Sequence, residues 1–132
     1  MDASHIELPG CEVEALERHG AQVRIRFSRA FIVKSMTGAF ERTRWWQAGD
    51  LLIEGVEGPV DLPQGPLKVT GGDVYDNIYT YRDLIPLPLE TAGQVGCRLL
   101  FEGVEAPLEV RGTRLRLEMK ATPRYIEHIH AG

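Results

Sequence analysis

Apolar and polar residues alternate along much of this 132-residue chain, and this period of two restricts the possible folds more than any other feature. In the segment 22–27 (QVRIRF), Val23, Ile25 and Phe27 alternate with polar residues, so all three would lie on one face of a β-strand. The segment 11–15 alternates in the same way, and a turn that contains glycine separates the two segments. The pattern predicts an all-β protein that begins with a β-hairpin.

Glycine and proline interrupt the rest of the chain at short intervals, and such regular turn signals are typical of antiparallel sandwiches and barrels. The length of the chain fits one domain. We therefore predict a single domain over residues 1–132, folded as an antiparallel β-sandwich or flattened barrel of roughly 8–10 short strands with little helix. After the first hairpin, separate strands are predicted at 30–35, 50–57, 67–70, 74–81, 94–103, 107–111, 114–120 and 124–129.

Two segments of the chain repeat each other: 51–62 (LLIEGVEGPVDL) and 99–110 (LLFEGVEAPLEV) share seven of twelve residues. The repeat predicts two related β units, approximately residues 47–78 and 95–126, and independent convergence on favourable turn residues is the alternative. The glutamates within each copy are three positions apart, so on a strand they would point to opposite faces. They therefore indicate solvated turns rather than a catalytic pair.

The charge and the N-terminal sequence argue against several classes of function. Nucleic-acid binders carry clustered basic residues, whereas this chain has a net charge of −4 and its arginines alternate with acidic and apolar residues. No segment approaches the roughly 18–20 apolar residues of a membrane span. The N-terminus lacks the basic and apolar regions of a secretory signal. We expect a cytoplasmic protein with no nucleic-acid partner and no membrane partner.

The sequence contains none of the common motifs of catalytic or cofactor sites. It has no phosphate-binding loop, dinucleotide-binding motif, zinc-protease motif, calcium-binding loop or serine-hydrolase motif. Cys11 and Cys97 have neither the spacing of metal ligands nor that of a redox pair. A reducing compartment disfavours a disulfide, so we expect two buried or half-buried free thiols. No catalytic residue and no cofactor is predicted.

Arg44, Trp45 and Trp46 form the first candidate surface for a ligand or partner. Adjacent residues of a strand face opposite ways, so one indole is expected in the core and the other on the surface. An exposed tryptophan beside arginine is typical of the energetically dominant residues of protein interfaces. It also suits cation–π contacts. The alternative is that both indoles are packed, one of them beneath the loop that precedes them.

Tyr75, Tyr79 and Tyr81 form the second candidate surface. On one unbroken strand all three side chains would share a face, which is the arrangement of sugar platforms and of many protein interfaces. The pair Asp76-Asn77 is a favourable turn sequence, however, and a turn at this point would separate the tyrosines. The sequence leaves both arrangements open.

His128 and His130 are the candidate metal ligands, because residues two positions apart on a strand project from the same face. A catalytic zinc or iron site needs at least one further protein ligand, and the sequence does not identify it. Surface histidines without a metal are the alternative interpretation.

These observations predict a non-catalytic protein-interaction or ligand-binding module. Its partner would be another protein or a second copy in a homodimer, since association is a common way to cover the edges of a sheet. A small ligand remains compatible with the aromatic surfaces. The two alternatives are a small metal-dependent β-barrel enzyme that uses His128 and His130, and a carbohydrate-binding module on the tyrosines.

Overall fold

The structure, a computed structural model, describes residues 3–35 and 41–129, and this part of the chain contains β-strands and no helix. All strand pairings are antiparallel, which confirms the all-β prediction. The strands are β1 (Ala3–His19), β2 (Gln22–Ser35), β3 (Arg42–Glu54), β4 (Leu67–Asp76), β5 (Tyr79–Arg82), β6 (Leu84–Leu87), β7 (Glu90–Phe101) and β8 (Leu108–Ile129).

Six of the eight strands pair in a closed cycle, which we call the ring. The sheet order is β5-β4-β7-β8-β3-β2-β1-β6, and an additional pairing joins β4 to β1. This closing contact pairs Val13 with Leu67 and Glu12 with Lys68. In the ring, therefore, each strand has a hydrogen-bonded neighbour on both sides.

Beyond the ring, five strand segments continue as an open sheet, which we call the wing. It has the order β6-β1-β2-β3-β8, and residues 3–7 of β1 lie between β6 and β2. Residues 30–35 of β2 pair with residues 42–47 of β3, which in turn pairs with the last residues of β8. The wing has two outer edges, one at β6 and one at β8.

The eight strands in the described residues lie within the predicted range of roughly 8–10, but several are longer than predicted because they continue through turn signals. β2 unites two predicted strands across a register shift between Phe27 and Ala30. β8 unites three, although it contains Gly112 and Ala121. A side chain at position 112 would come within 2.3 Å of the Glu54 carbonyl oxygen, so the glycine permits close strand approach. Ala121 has a left-handed φ of 62° next to a bulge.

The alternating residues of the sequence build the core. Val23, Ile25 and Phe27 are all buried, as the period of two predicts. Cys11 and Cys97 are buried free thiols, also as expected. Burial is the main reason that the pKa of each thiol is raised to about 12.

The outer face of the ring carries a network of ion pairs. Asp50 is only 3% exposed, and it accepts Arg24 at 2.7 Å and Lys120 at 3.0 Å. Leu52 lies on the same face, between Arg24 and Arg116 in register, and is fully buried. Long charged side chains can cover apolar surface with their stems, which explains how a leucine on the outer face escapes solvent.

The two copies of the repeated segment begin alike and then diverge. Gly55 and Gly103, at equivalent positions, have left-handed φ values of 73° and 77°. After them, however, β8 begins at Leu108, whereas the equivalent part of the first copy is not in a strand. Two related β units remain a prediction. No helix that could cross a membrane occurs in residues 3–35 or 41–129.

Candidate functional site

Trp45 and Trp46 lie on opposite faces of β3 in the wing, as the sequence predicts for adjacent strand residues. Trp45 packs against the core cluster beside Ile32, its neighbour in register on β2. Its indole Nε1 donates to Thr43 Oγ1 at 2.9 Å. On β8, Tyr125 meets the Trp45 ring edge to face, with ring centroids 5.3 Å apart. Trp45 therefore has mainly a structural role, in anchoring the wing to the core.

Trp46 lies on the outer face of the wing between two guanidinium groups. The guanidinium carbon of Arg29 is 4.6 Å from its ring centroid, and that of Arg124 is 5.6 Å away. Trp46 itself is half-buried, while both arginines are exposed. A flat aromatic ring held between cations has little conformational freedom to lose when a partner binds.

Arg44 lies on the same outer face as Trp46, since the two residues are two positions apart on β3. It bridges β1 and β8 by pairing with Glu7 at 3.2 Å and with Glu127 at 2.9 Å. Next to it is a shallow depression of about 280 Å³. The residues that line this depression are Glu7, Pro9, Gly10, Phe31 and Arg44.

We call Arg29, Arg44, Trp46 and Arg124, together with Phe31, the tryptophan surface. It combines two aromatic rings with three guanidinium groups on the outer face of three adjacent strand segments. These groups can stack on flat or apolar groups and donate hydrogen bonds to carboxylates. They offer neither a nucleophile nor a general base, so the chemistry of this surface is binding.

The candidate tyrosines are separated by a turn, so the arrangement with one unbroken strand does not occur. β4 ends at Asp76 and β5 begins at Tyr79, with Asn77 in a left-handed conformation (φ 58°). The Asn77 side chain fixes this turn by donating to the Ala92 carbonyl and accepting from the Gln94 amide, both at 3.0 Å.

The three tyrosines consequently have different environments. Tyr75 lies on the outer face, where the Arg111 guanidinium stacks 4.0 Å from its ring centroid. Desolvation is the largest of several effects that together raise its pKa. Tyr81 packs against the core cluster, and Tyr79, on the same side of β5, is 60% exposed. The tyrosines of this hairpin do not form a shared platform, and no ring contact joins them to the tryptophans among the residues that the structure describes.

His128 is placed on the last strand, whereas His130 lies outside the described residues. The Tyr125 hydroxyl and His128 Nδ1 are 2.8 Å apart, and Nε2 of His128 is 3.9 Å from a carboxylate oxygen of Glu41. Within residues 3–35 and 41–129, no group of three or more His, Cys, Asp or Glu side chains could hold a metal ion. A metal site with His130 stays a prediction.

Sequence reasoning did not identify the edge of β8 as a candidate surface. Tyr125 is 52% exposed and Ile126 is 39% exposed, and both belong to the last predicted strand. Their apolar character was visible in the sequence, but their position at an edge depends on which strands pair. A second depression, of about 340 Å³, lies between the loops of the two repeated segments and is lined mainly by apolar residues from 60–63 and 104–108.

Comparisons with models of protein families, with curated proteins and with solved structures found no match to this chain.

Proposed function

We propose that the protein is a non-catalytic protein-interaction module and that the tryptophan surface is its binding face. The observation that carries this proposal is the position of Trp46, on the outer face of the wing between Arg29 and Arg124. Tryptophan and arginine are the residue types most enriched among those that dominate interface energies. Here they occur together on the surface of a sheet, where a partner can reach them.

The charges of the surface indicate the chemistry of the partner. Arg44 is already neutralised by Glu7 and Glu127, whereas no ion pair joins Arg124 to another residue within 3–35 or 41–129. A partner that brings a carboxylate next to an apolar or aromatic group would complement both Arg124 and the Trp46 ring. An acidic segment with an apolar anchor is the partner that fits best.

The two alternative functions have less support. Carbohydrate binding on the tyrosines would need a shared face, and Tyr75 faces away from Tyr79 and Tyr81. A metal-dependent enzyme would need ligands beyond His128 and His130. The depression beside Arg44 is shallow and open, so it suits one side chain of a protein partner better than an enclosed small molecule.

Substitution of Trp46 tests the proposal. Wild-type protein, Trp46→Ala and Tyr79→Ala are immobilised, and the proteins that each captures from cell extract are quantified by mass spectrometry. We expect that a protein captured by both wild type and Tyr79→Ala is recovered in an at least about tenfold lower amount on Trp46→Ala. Raising the salt concentration should weaken the same capture, because it screens Arg124.

The Tyr79→Ala variant is the matched control, since it removes an exposed aromatic ring from the other candidate surface. Circular dichroism melting establishes that each variant is folded. Equal capture by folded wild type and Trp46→Ala would contradict a binding role for the tryptophan surface.

A further inference from the structure

The last part of β8 has one unpaired edge. β7 pairs with β8 only as far as Arg116, and the final hydrogen bond on that side runs from the Leu117 amide to the Leu89 carbonyl at 2.9 Å. From there to Ile129, β8 pairs with β3 alone among the residues that the structure describes. In residues 118–127, backbone groups on the other side are therefore available to another strand.

Parts of the wing's edges carry features that hinder pairing. β6, at the opposite side of the wing, contains Pro86, and Pro88 follows it, so both lack an amide hydrogen. On β8, Ala121 adopts a left-handed conformation and Pro123 follows closely. Residues 124–127 contain neither proline nor a left-handed residue, so we call them the unprotected stretch of the wing's edges, although a bulge interrupts their pairing with β3.

This unprotected stretch also exposes apolar side chains. Within residues 3–35 and 41–129, Tyr125 and Ile126 are two of the four exposed large hydrophobic residues, and the other two, Ile78 and Tyr79, lie at the β4–β5 turn. An exposed strand edge with apolar side chains is the arrangement that most favours strand addition.

A bulge in β8 makes this stretch complementary to a second copy of itself. Glu127 is opposite Arg44 and Arg124 is opposite Trp46, so β8 has one extra residue between them. Because Arg44 and Trp46 share a face of β3, Arg124 and Glu127 also share a face. Antiparallel pairing of two such stretches brings each Arg124 opposite the Glu127 of the other copy, with Tyr125 opposite Ile126.

We propose that residues 124–127 of two copies pair in this way, so that the two wings join into one sheet across a twofold axis between Tyr125 and Ile126. This inference rests on the proposed function only in treating the chain as an interaction module. It names a second copy as partner and the β8 edge as interface. The interface is small, so the dimer is a reversible one that dissociates on dilution.

Two charge reversals test both the dimer and its register. Sedimentation equilibrium from about 5 µM to about 500 µM measures self-association of the wild type. In a dimer of the Arg124→Glu variant, each new carboxylate lies opposite Glu127 of the other copy. In a dimer of the Glu127→Arg variant, each new guanidinium lies opposite Arg124. Each variant alone should therefore associate at least about tenfold more weakly. An equimolar mixture of the two variants should associate again, because every opposed pair is then of opposite charge.

The apolar part of the interface is tested by a matched pair of substitutions. Ile126→Lys should weaken the dimer at least about tenfold, whereas Ile78→Lys, at the more exposed isoleucine, should leave it unchanged. A wild type that stays monomeric over the whole range overturns the proposal. The proposal is also overturned if the mixture of the two charge variants associates no better than each variant alone, or if Ile126→Lys and Ile78→Lys weaken the dimer equally.

The outcome is separable from that of the proposed function. Trp46→Ala leaves the β8 edge intact, so it should lose the captured partner and keep the dimer. Ile126→Lys should lose the dimer and, as a monomer with an intact tryptophan surface, keep the captured partner. Either proposal can thus fail while the other stands.

Discussion

The ring and the wing share four long strands, β1, β2, β3 and β8, which pass through both. In the ring every strand has a neighbour on both sides, and the apolar residues face one core. In the wing the sheet ends at β6 and β8, Tyr125 and Ile126 are exposed, and arginines surround Trp46 on the outer face. The same strands thus build the core at one end and, under the proposed function, offer contacts to partners at the other.

The difference shows how a small all-β domain can separate these two tasks. Closing the sheet satisfies the backbone and removes its edges, whereas continuing some strands past the closure restores them. Side chains on the outer face of the continuation can serve the proposed binding, whereas its inner face still packs Ile6, Ile32 and Ile85 into the core. Substitutions in the two regions should therefore have different consequences.

The largest expected difference is in stability, between two isoleucines. Ile25, in the ring, is fully buried, so Ile25→Ala should lower the free energy of unfolding by about 2–5 kcal/mol. Ile126→Ala, at the exposed edge of the wing, should change it by no more than about 0.5 kcal/mol at concentrations where the protein is monomeric. Urea unfolding measures both values, and similar losses for the two variants would contradict the division of tasks.

A smaller effect is expected from the buried thiols at alkaline pH. The pKa of Cys97 is raised from 9.0 to about 12 in the folded protein, mainly by burial. The contribution of the protonated thiol to stability is complete below pH 9, and it is lost as the pH rises toward 12, because the unfolded chain releases its proton first.

Unfolding in urea at a series of pH values between about 8 and 11 measures this dependence. We expect the free energy of unfolding to fall with rising pH, and to fall less steeply for Cys97→Ala. Ile126→Ala is the control from the wing and should keep the wild-type slope. An unchanged slope in Cys97→Ala would show that burial of this thiol does not couple to stability.

Local patterns in the sequence predicted the fold class, while pairing between distant strands was out of their reach. Alternation in 22–27 correctly placed Val23, Ile25 and Phe27 in the core. The alternating geometry of a strand likewise predicted opposite faces for the adjacent residues Trp45 and Trp46. Glycine and proline were read as strand ends, but β8 continues through Gly112 and, next to a bulge, through Pro123. The reason is that a bulge and a turn use the same residues, and only the neighbouring strand decides between them.

The candidate site was predictable in part for the same reason. The pairing of tryptophan with arginine in 44–46 is local, so it could be recognised. Arg29 and Arg124 come from other strands, and their positions beside Trp46 depend on the register of β2 and β8. For the tyrosines the sequence allowed both a continuous strand and a turn at Asn77. Only the continuous strand would place them on one face, and the local sequence did not decide between the two.

The central claim is that the wing is the region through which the molecule associates, and the most direct test is residue-resolved amide hydrogen exchange of β8 at two protein concentrations. Amides in residues 108–116, within the ring, should exchange slowly at both concentrations because strands pair on both sides. Amides in residues 124–127 should exchange faster in dilute protein and become protected in concentrated protein. Exchange in 124–127 that does not depend on concentration, or protection that appears at the β4–β5 hairpin instead, would contradict the account.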